Sequence, residues 1–421
     1  MIPTGLDFGT VTIMMPTEKG TIPVEHTTFR RELYKDDRHP EVTFTKSIEE
    51  DLMRRDFTIN AMAMDSRGNI IDPYGGLEDI KKGIIRAVGD PQERFREDPL
   101  RIMRMARFAS RYDFNIDEDT FRAAKEMVKE MPKRVAVERV MQELLKGIKQ
   151  SKKPSRYFEI LKDVGALDIY MPELKGMIGV EQDRTHYGDV WEHTMGVVDN
   201  ARRMTDDEVV LMAALLHDVG KPRTREFKKD GQPIFPGHPE VGAEMARKIL
   251  KRLRFSNKFI DDVATLVKHH DLTMHNNKKV ILRKLADLTS GGKRPEMLDR
   301  LEILVKADAL AHREEYARVF IKDAEEKLRK IRQWMKEYPL DRRQLAINGK
   351  DLLKAGVDQY KIGKIMDKLL EEVWEDRLKN DKEELMRRAL QLAKSMGALK
   401  GSGKTEITGE EKQRGHNGYS A

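Results

Sequence analysis

The sequence predicts a mostly α protein with a short α/β region at its N-terminus. Three observations carry this. Strand-like runs are confined to residues 1–75. Apolar residues at helical spacing dominate the chain beyond residue 75. Charged residues make up 36%, and the commonest apolar residues are Leu, Ile, Met and Ala, a mix that suits helices with long solvated faces. The elements run in order along the chain. Thr10 to Met14, Ile22 to Thr28 and Val42 to Thr45 are β-branched and apolar, and read as strands of one sheet. Glu18-Lys19-Gly20 and Asp36-Asp37-Arg38-His39-Pro40 separate them as turns. Phe57 to Met64 fits strand or helix; Ser66 to Asn69 is a turn, and Asp72 to Gly76 a loop. Helices are expected over Pro99 to Arg111, Asp117 to Glu130, Ala136 to Gly147, Pro154 to Val164 and Asp206 to Leu216. They continue over Val241 to Leu253, Asn257 to His269, Glu296 to Arg313 and Val319 to Tyr338, then a heavily charged stretch from Asp351 to Met396. Gly401 to Ala421 is rich in Gly, Ser, Lys and Glu and is expected to be disordered. Its Gly401-Ser402-Gly403-Lys404-Thr405 looks like the end of a phosphate-binding loop, but no strand precedes it and no apolar helix comes after it.

A chain of 421 residues has room for two to four domains. Aromatic residues are only 6%, which argues against binding dominated by base stacking. A net charge of +7 and a pI near 9.1 fit a polyanion such as RNA, although a well-solvated basic surface explains them equally well. With no cysteine, disulfides and thiolate chemistry are excluded, which fits a reducing compartment. Met1 to Gly5 shows no secretory pattern. The apolar runs, of which Leu211 to Leu216 is typical, fall far short of the ~20 residues that span a bilayer. The expectation is a cytoplasmic protein without a membrane partner.

Two clusters carry chemistry. In Arg96-Glu97-Asp98-Pro99-Leu100-Arg101, Asp98 is a good helix N-cap and Pro99 a good first helical residue. Arg101, Arg104, Arg107 and Arg111 then fall within about 120° of one another, with Ile102, Met103, Ala106 and Ala109 opposite. Nearby carboxylates match only part of this stripe, so it suits phosphate or a base edge; a solvated face fits the spacing as well. The second cluster is histidine. Eight of the eleven fall between His186 and His312. His217-Asp218 ends the apolar run from Leu211 to Leu216, where burying both groups is costly without a strong partner such as a metal. His186, His275 and His312 read as structural.

Several longer motifs resemble class II tRNA nucleotidyltransferases, the CCA-adding and poly(A) polymerase family. They are Pro3-Thr4-Gly5 with Gly9-Thr10-Val11, Arg54-Arg55-Asp56-Phe57-Thr58-Ile59-Asn60-Ala61, and Asp72-Pro73 with Gly75-Gly76. Ile84 to Pro91, Glu97-Asp98-x-x-Arg101 with Arg104 and Arg107, and Leu345-Ala346-Ile347-Asn348-Gly349-x-Asp351-Leu352 complete the set. The resemblance covers residue 1 to about residue 395. It implies part of a polymerase-β-like nucleotidyltransferase sheet, then helical neck, HD and body/tail domains in an elongated array. It implies tRNA, CTP and ATP as partners and Mg²⁺ for transfer. Asp98, which accepts, and Arg101, which donates, would read the base edge. Arg55, Arg104 and Arg107 would hold the triphosphate or base, with Asp56 and Asn60 in the same motif.

The family's Asp-x-Asp metal motif and its Gly-Gly loop lie upstream of Pro-Thr-Gly, where this chain begins. Asp117-Glu118-Asp119 opens a helix instead, and Glu25 is the candidate third carboxylate, with His26 where the family prefers an apolar residue. The expectation is a head domain lacking its N-terminal catalytic part and a 421-residue chain that does not add nucleotides; a start upstream of Met1, a split gene and a decayed gene are the alternatives.

Trp191-Glu192-His193-Thr194, Leu216-His217-Asp218-Val219-Gly220-Lys221-Pro222 and Lys306-Ala307-Asp308 resemble the HD phosphohydrolase superfamily. By that resemblance His193, His217, Asp218 and Asp308 hold a first metal ion. His238 and one of His269 or His270, with His270 favoured, complete a second site. Ni, Co, Mn or Fe suits such ligands, and Lys221 would stabilise phosphate charge. The expected segments are residues 1–75 (partial head), 76–175 (neck), 176–320 (HD), 321–400 (body/tail, with Lys and Arg for RNA backbone or simply solvated) and 401–421 (tail). The alternatives to a nucleotidyltransferase are a metal-dependent phosphohydrolase acting on RNA or nucleotide phosphates, and a non-catalytic RNA-binding protein.

Overall fold

The computed structural model describes residues 2–5, 9–33 and 41–399. The expected turn at 36–40 and the expected disordered tail at 401–421 lie outside them. The chain forms two compact units, Met1–Met274 with Pro295–Leu328, and His275–Arg294 with the residues from Arg329 onward. Residues 275–294, assigned to the HD segment from sequence, thus cluster with the C-terminal helices.

The first unit opens with an antiparallel sheet in the order Ile2–Gly5, Thr10–Thr17, Gly20–Thr27. The register pairs Val11 with His26, Ile13 with Val24 and Met15 with Ile22. Strand alternation therefore puts Val11, Ile13, Met15, Ile22 and Val24 on one face, and Thr10, Thr12, Thr27 and Glu25 on the other. The single sheet expected from sequence is not formed. Arg30–Leu33 pairs only with Glu41–Phe44, and Ala63–Met64 only with Ile70–Ile71. Charge explains the separation. The Arg30 N–H donates to Asp51 Oδ1 at 3.1 Å, and Arg54 bridges Asp51 and Glu32 at 2.9 and 3.2 Å, tying the second ladder to the helix Ile48–Met53. Phe57 to Met64 is neither of the two expected forms but a 3₁₀ turn, Thr58–Asn60, running into the short strand Ala63–Met64.

The arginine helix spans Arg101–Tyr112. Asp98 does not cap it as expected. It ends the preceding helix, Pro91–Glu97, and its carboxylate accepts the Leu100 N–H at 3.2 Å, so Pro99 and Leu100 form a turn before the helix starts. Ile102, Met103, Met105, Ala106 and Ala109 are buried against Val137–Gln150 and Pro154–Val164. Tyr157 packs flat over Gly147 and donates to Glu143 O at 3.2 Å. The expected helices Pro154–Val164 and Asn257–His269 match residue for residue.

Five helices build the remainder of this unit's core: Val190–Met204, Glu208–Leu216, His238–Arg252, Asn257–His269 and Glu296–Leu310. The first was not expected, because Glu192, His193, Thr194 and Gly196 interrupt its apolar spacing. Asp189 and Glu192 start it with a reciprocal capping box. Glu208–Leu216 is buried from Val209 to Leu216, which explains its lack of a polar face. The second unit contains Lys278–Leu288, Gly349–Lys354, Gln359–Trp374 and Lys382–Ser395. The charged stretch from Asp351 to Met396 is thus three helices begun by the side-chain caps Asn348, Asp358 and Asp381.

A Cβ at Gly147 would overlap the ring of the fully buried Tyr157. Gly147→Ala is expected to destabilise the first unit by about 1–3 kcal/mol through overpacking. A urea melt checks this, with an unchanged midpoint counting against the packing described.

Candidate nucleotide cavity and metal centre

A cavity of about 610 Å³ opens between the head residues and the arginine helix. Six of the seven expected nucleotide-binding residues line it: Arg55, Asp56, Asn60, Asp98, Arg101 and Arg104. Arg104 Nε donates to Asp56 Oδ2 at 2.7 Å, and Asn60 Nδ2 donates to Asp56 Oδ1 at 3.0 Å. Arg55 reaches Asp51 at 3.3 Å. Asp98 pairs with Arg139 at 2.8 Å. Arg101 is buried; it pairs with Glu97 at 2.8 Å and donates to Arg54 O at 2.7 Å. Burial pushes the Glu97 carboxyl up, against the opposing pull of Arg94 and Arg101.

Arg107 does not join this cavity. It is buried against Glu143 at 2.8 Å and lies over the Phe108 ring. Carboxylates match three of the four arginines of the stripe, and Arg111 meets the neutral Gln150 instead. Glu97, Asp56 and Glu143 each take one arginine, two of them from distant parts of the sequence. Glu25 lies exposed on Gly20–Thr27, outside this cavity. Arg54 and Arg139 line it without having been assigned roles from sequence; Arg139 sits on another helix, and its spacing carries no signal.

The histidine cluster resolves into two groups of ligand-type atoms, His193, His217 and Asp308, and Asp218, His238 and His270. Asp218 stands between them. Its Oδ2 lies 3.2 Å from His217 Nε2 and 3.9 Å from His193 Nε2, and its Oδ1 lies 3.4 Å from His238 Nε2 and 3.7 Å from His270 Nε2. His193 Nε2 reaches Asp308 Oδ1 at 2.9 Å. All six residues expected as ligands meet here. His269 is buried on the same helix but belongs to neither group.

The tautomers fit a cation. His217, His238 and His270 each place Nδ1 against a backbone carbonyl, Ala214 O, Phe235 O and Val267 O, at 2.8, 2.8 and 2.7 Å. A carbonyl only accepts, so each Nδ1 carries a proton and a neutral ring offers a lone pair at Nε2; burial opposes charge on His217, but Asp218 outweighs it and raises that ring. His238 Nε2 and His270 Nε2 then face each other at 3.2 Å, and His217 Nε2 is buried without a hydrogen-bond partner. Burial pushes His193 and His238 down to about 4, which keeps both rings neutral near pH 7. Burial also opposes charge on Asp218, yet His217 and Lys221 hold its carboxyl well below the usual range. Opposed lone pairs beside buried carboxylates are what a divalent ion relieves.

Lys221 Nζ sits 2.7 Å from Asp218 Oδ2 and donates to Gln182 Oε1 at 2.6 Å. These groups open into a cavity of about 470 Å³ that includes Phe235, Met274 and Phe320. His186 and His312, read as structural from sequence, also line it, their rings 4.4 Å apart and 4.8 and 5.1 Å from that of His193. A bridge between His186 and His312 brings them there, and the sequence gives no sign of that pairing. His275 is not among the lining residues.

Residues 1–86 match the family described as Poly A polymerase head domain, residues 113–177 that described as Probable RNA and SrmB- binding site of polymerase A, and residues 190–313 the HD domain. The Multifunctional CCA protein of Neisseria meningitidis serogroup A is 39% identical over 257 residues, 59% of this chain and 60% of the relative. That of Chromobacterium violaceum is 41% identical over 234 residues, 55% of each. The crystal structure of the Bacillus stearothermophilus CCA-adding enzyme in complex with CTP superposes with a TM-score of 0.62 at 26% identity, over 94% of this chain and 84% of that one. Over these stretches the chain is similar to CCA-adding enzymes and poly(A) polymerases, with an HD domain match at residues 190–313. A CCA-adding enzyme solved with ATP shares the fold, with a TM-score of 0.55 at 22% identity over 92% of this chain and 80% of that one. The matched stretches span less than two thirds of the curated relatives. No helix among the described residues is long and apolar enough to cross a membrane, in keeping with the short apolar runs of the sequence.

If Asp218 is shared by both groups, Asp218→Ala should abolish binding of Mn²⁺ or Ni²⁺ at both, whereas His238→Ala should remove one equivalent. Calorimetric titration of the full chain checks the stoichiometry, and full retention by Asp218→Ala would rule out a shared ligand.

Proposed function

We propose that this chain carries the base-selecting and RNA-binding part of a tRNA nucleotidyltransferase, which builds or repairs the 3′ CCA end from CTP and ATP, and that its HD residues form a metal-dependent phosphohydrolase site. The observation that carries the first reading is the convergence of Asp56, Asp98, Arg101 and Arg104 on one cavity. Asp98 accepts from a base edge and Arg101 donates to it. Arg55 and Arg104, both at the cavity wall, offer charge-assisted hydrogen bonds to a triphosphate. Asp56 holds Arg104 and Asn60 in place meanwhile. Nucleotidyl transfer of this kind uses two Mg²⁺ ions. Among the described residues, Glu25 is the one carboxylate on the polar face of the first sheet, and a single carboxylate does not fit a metal pair.

The second reading rests on the two adjacent ligand groups, of which Asp218, His238, His270 and Asp308 line one cavity together with Lys221. His193, His217, Asp218, His238, His270 and Asp308 would hold a divalent transition metal, which would supply the Lewis-acid chemistry of phosphate hydrolysis. Lys221, held by Asp218 and Gln182, places its ammonium where phosphate charge would lie. Phe235, Met274 and Phe320 give the cavity apolar walls that suit a nucleoside rather than a bare phosphate.

With labelled CTP and ATP, Mg²⁺ and tRNA lacking its 3′ end, residues 1–421 are expected to bind nucleotide and RNA without incorporation. Incorporation would show that other carboxylates of this chain hold the metals. Arg104→Ala should weaken CTP binding roughly 10- to 100-fold, the worth of a charge-assisted hydrogen bond. Loss of Mn²⁺- or Ni²⁺-dependent phosphatase activity in His217→Ala, with CTP binding retained, is expected for the HD reading; full activity in that variant would remove it.

A further inference from the structure

A second basic groove lies two turns along the arginine helix from the nucleotide cavity. Its volume is about 550 Å³, and Arg111, Lys146, Lys149 and Arg202 line it together with the side-chain amides of Gln142 and Gln150. Three helices contribute these residues, Arg101–Tyr112, Val137–Gln150 and Val190–Met204, and a fourth, Glu208–Leu216, adds Glu208.

Two carboxylates share the groove, and both are already engaged. Asp206 pairs with Arg202 at 2.7 Å, and Glu208 with Lys149 at 3.3 Å. Lys146 lies 3.6 Å from Glu143, a carboxylate that Arg107 takes at 2.8 Å. Arg111 donates to the Gln150 carbonyl at 3.3 Å, a neutral acceptor that leaves its charge uncompensated there. The groove therefore keeps a positive excess. Its single apolar lining residue is Leu145, which is too little for a protein-binding pocket but suits a polyanion.

The placement adds a length argument. Arg104 lines the nucleotide cavity and Arg111 lines the groove. Seven helical residues turn the chain through about 700°, so both side chains leave the same stripe, roughly 10.5 Å apart. That distance matches about three stacked nucleotides at ~3.4 Å each. Between them, Gln150 Oε1 accepts from both Arg107 and Arg111, at 3.2 and 3.3 Å, so one amide links the groove to the buried arginine pair.

We propose that this groove binds the phosphate backbone of the RNA strand whose 3′ end occupies the nucleotide cavity, a few nucleotides upstream of that end. The assignment rests on the nucleotide reading above. It goes beyond the RNA-binding stretch matched at residues 113–177, because Arg111 and Arg202 lie outside it and Arg202 belongs to the HD residues. The neck and HD modules thus grip one strand jointly, with Arg202 fixed across the junction by its Nε hydrogen bond to Lys149 O at 2.6 Å.

The test uses the full chain and tRNA lacking its CCA end, with fluorescence anisotropy over a range of salt and separate calorimetry with CTP. Arg111 and Lys146 are exposed, so the double variant Arg111→Ala, Lys146→Ala should fold, which a thermal melt verifies. RNA affinity is expected to fall about tenfold or more at fixed salt. The log–log salt slope should shrink by ~0.7 for each single-strand contact removed. CTP affinity should stay at the wild-type value. RNA affinity and slope unchanged in the double variant would overturn the proposal. So would an equal loss in Lys229→Ala, an exposed lysine outside the groove and outside the RNA-binding stretch, since that marks a general charge effect. A wild-type chain that binds CTP but not this RNA overturns the groove alone; one that binds neither overturns the nucleotide reading as well.

Discussion

A carboxylate buried at the end of an apolar helix is the constraint around which the HD residues are arranged. The run Val209 to Leu216 is driven inward by its own apolar surface and carries His217 and Asp218 into the core with it. An isolated charge there would cost several kcal/mol. The fold answers by bringing a nitrogen ligand or cation to each oxygen of Asp218: His193 and His217 with Lys221 on one side, His238 and His270 on the other. Each comes from a different helix or helix end. Close backbone approach makes this possible. A Cβ at Gly220 would overlap His238 O and Gly242 N, so glycine is what lets His238 sit opposite Asp218. The same Asp218 makes the two ligand groups one centre rather than two.

A second buried pair plays a comparable part in the neck. Arg107 and Glu143 join the arginine helix to Val137–Gln150 in a place where neither charge could remain alone. Tyr157 seals it by donating to Glu143 O, and Gly147 gives that ring its room. One arginine of the stripe is thereby committed to structure, while Arg104 and Arg111 stay at cavity walls on either side of it.

How much could be read without coordinates depended on the range of the interactions. Helices such as Pro154–Val164 and Asn257–His269 were legible to the residue because caps and apolar spacing are local. The six ligand-type residues were named through their resemblance to the HD pattern, whose His217-Asp218 doublet closes an apolar run, and the structure brings all six together. Val190–Met204 was not, since the ligand His193 and its polar neighbours break the period that identifies a helix. The separation of the head strands into independent ladders came from Asp51 and Arg54, whose partners Arg30 and Glu32 lie more than 20 residues earlier. His186 and His312 were read as bystanders because 126 residues separate them, and only their bridge places both against His193. Arg107 was expected at the nucleotide site but sits on Glu143 outside the cavity, for a related reason. Spacing shows which residues share a stripe, but not which of them finds a carboxylate underneath.

The pairing of Arg104 with Asp56, Asp98 with Arg139 and Arg101 with Glu97 means that each of these arginines already holds a carboxylate partner when the cavity is at rest. A ligand does not simply fall into a positive well there; it has to trade places with a resident partner. A small anion can displace one carboxylate at most and gains little. A molecule that offers phosphates to Arg104 while its ring edge meets Asp98 and Arg101 replaces several partners in one event. On the nucleotide reading proposed above, the cavity would act as a coincidence detector, discriminating against fragments that carry only one half of a nucleotide through the reluctance of its own ion pairs to part.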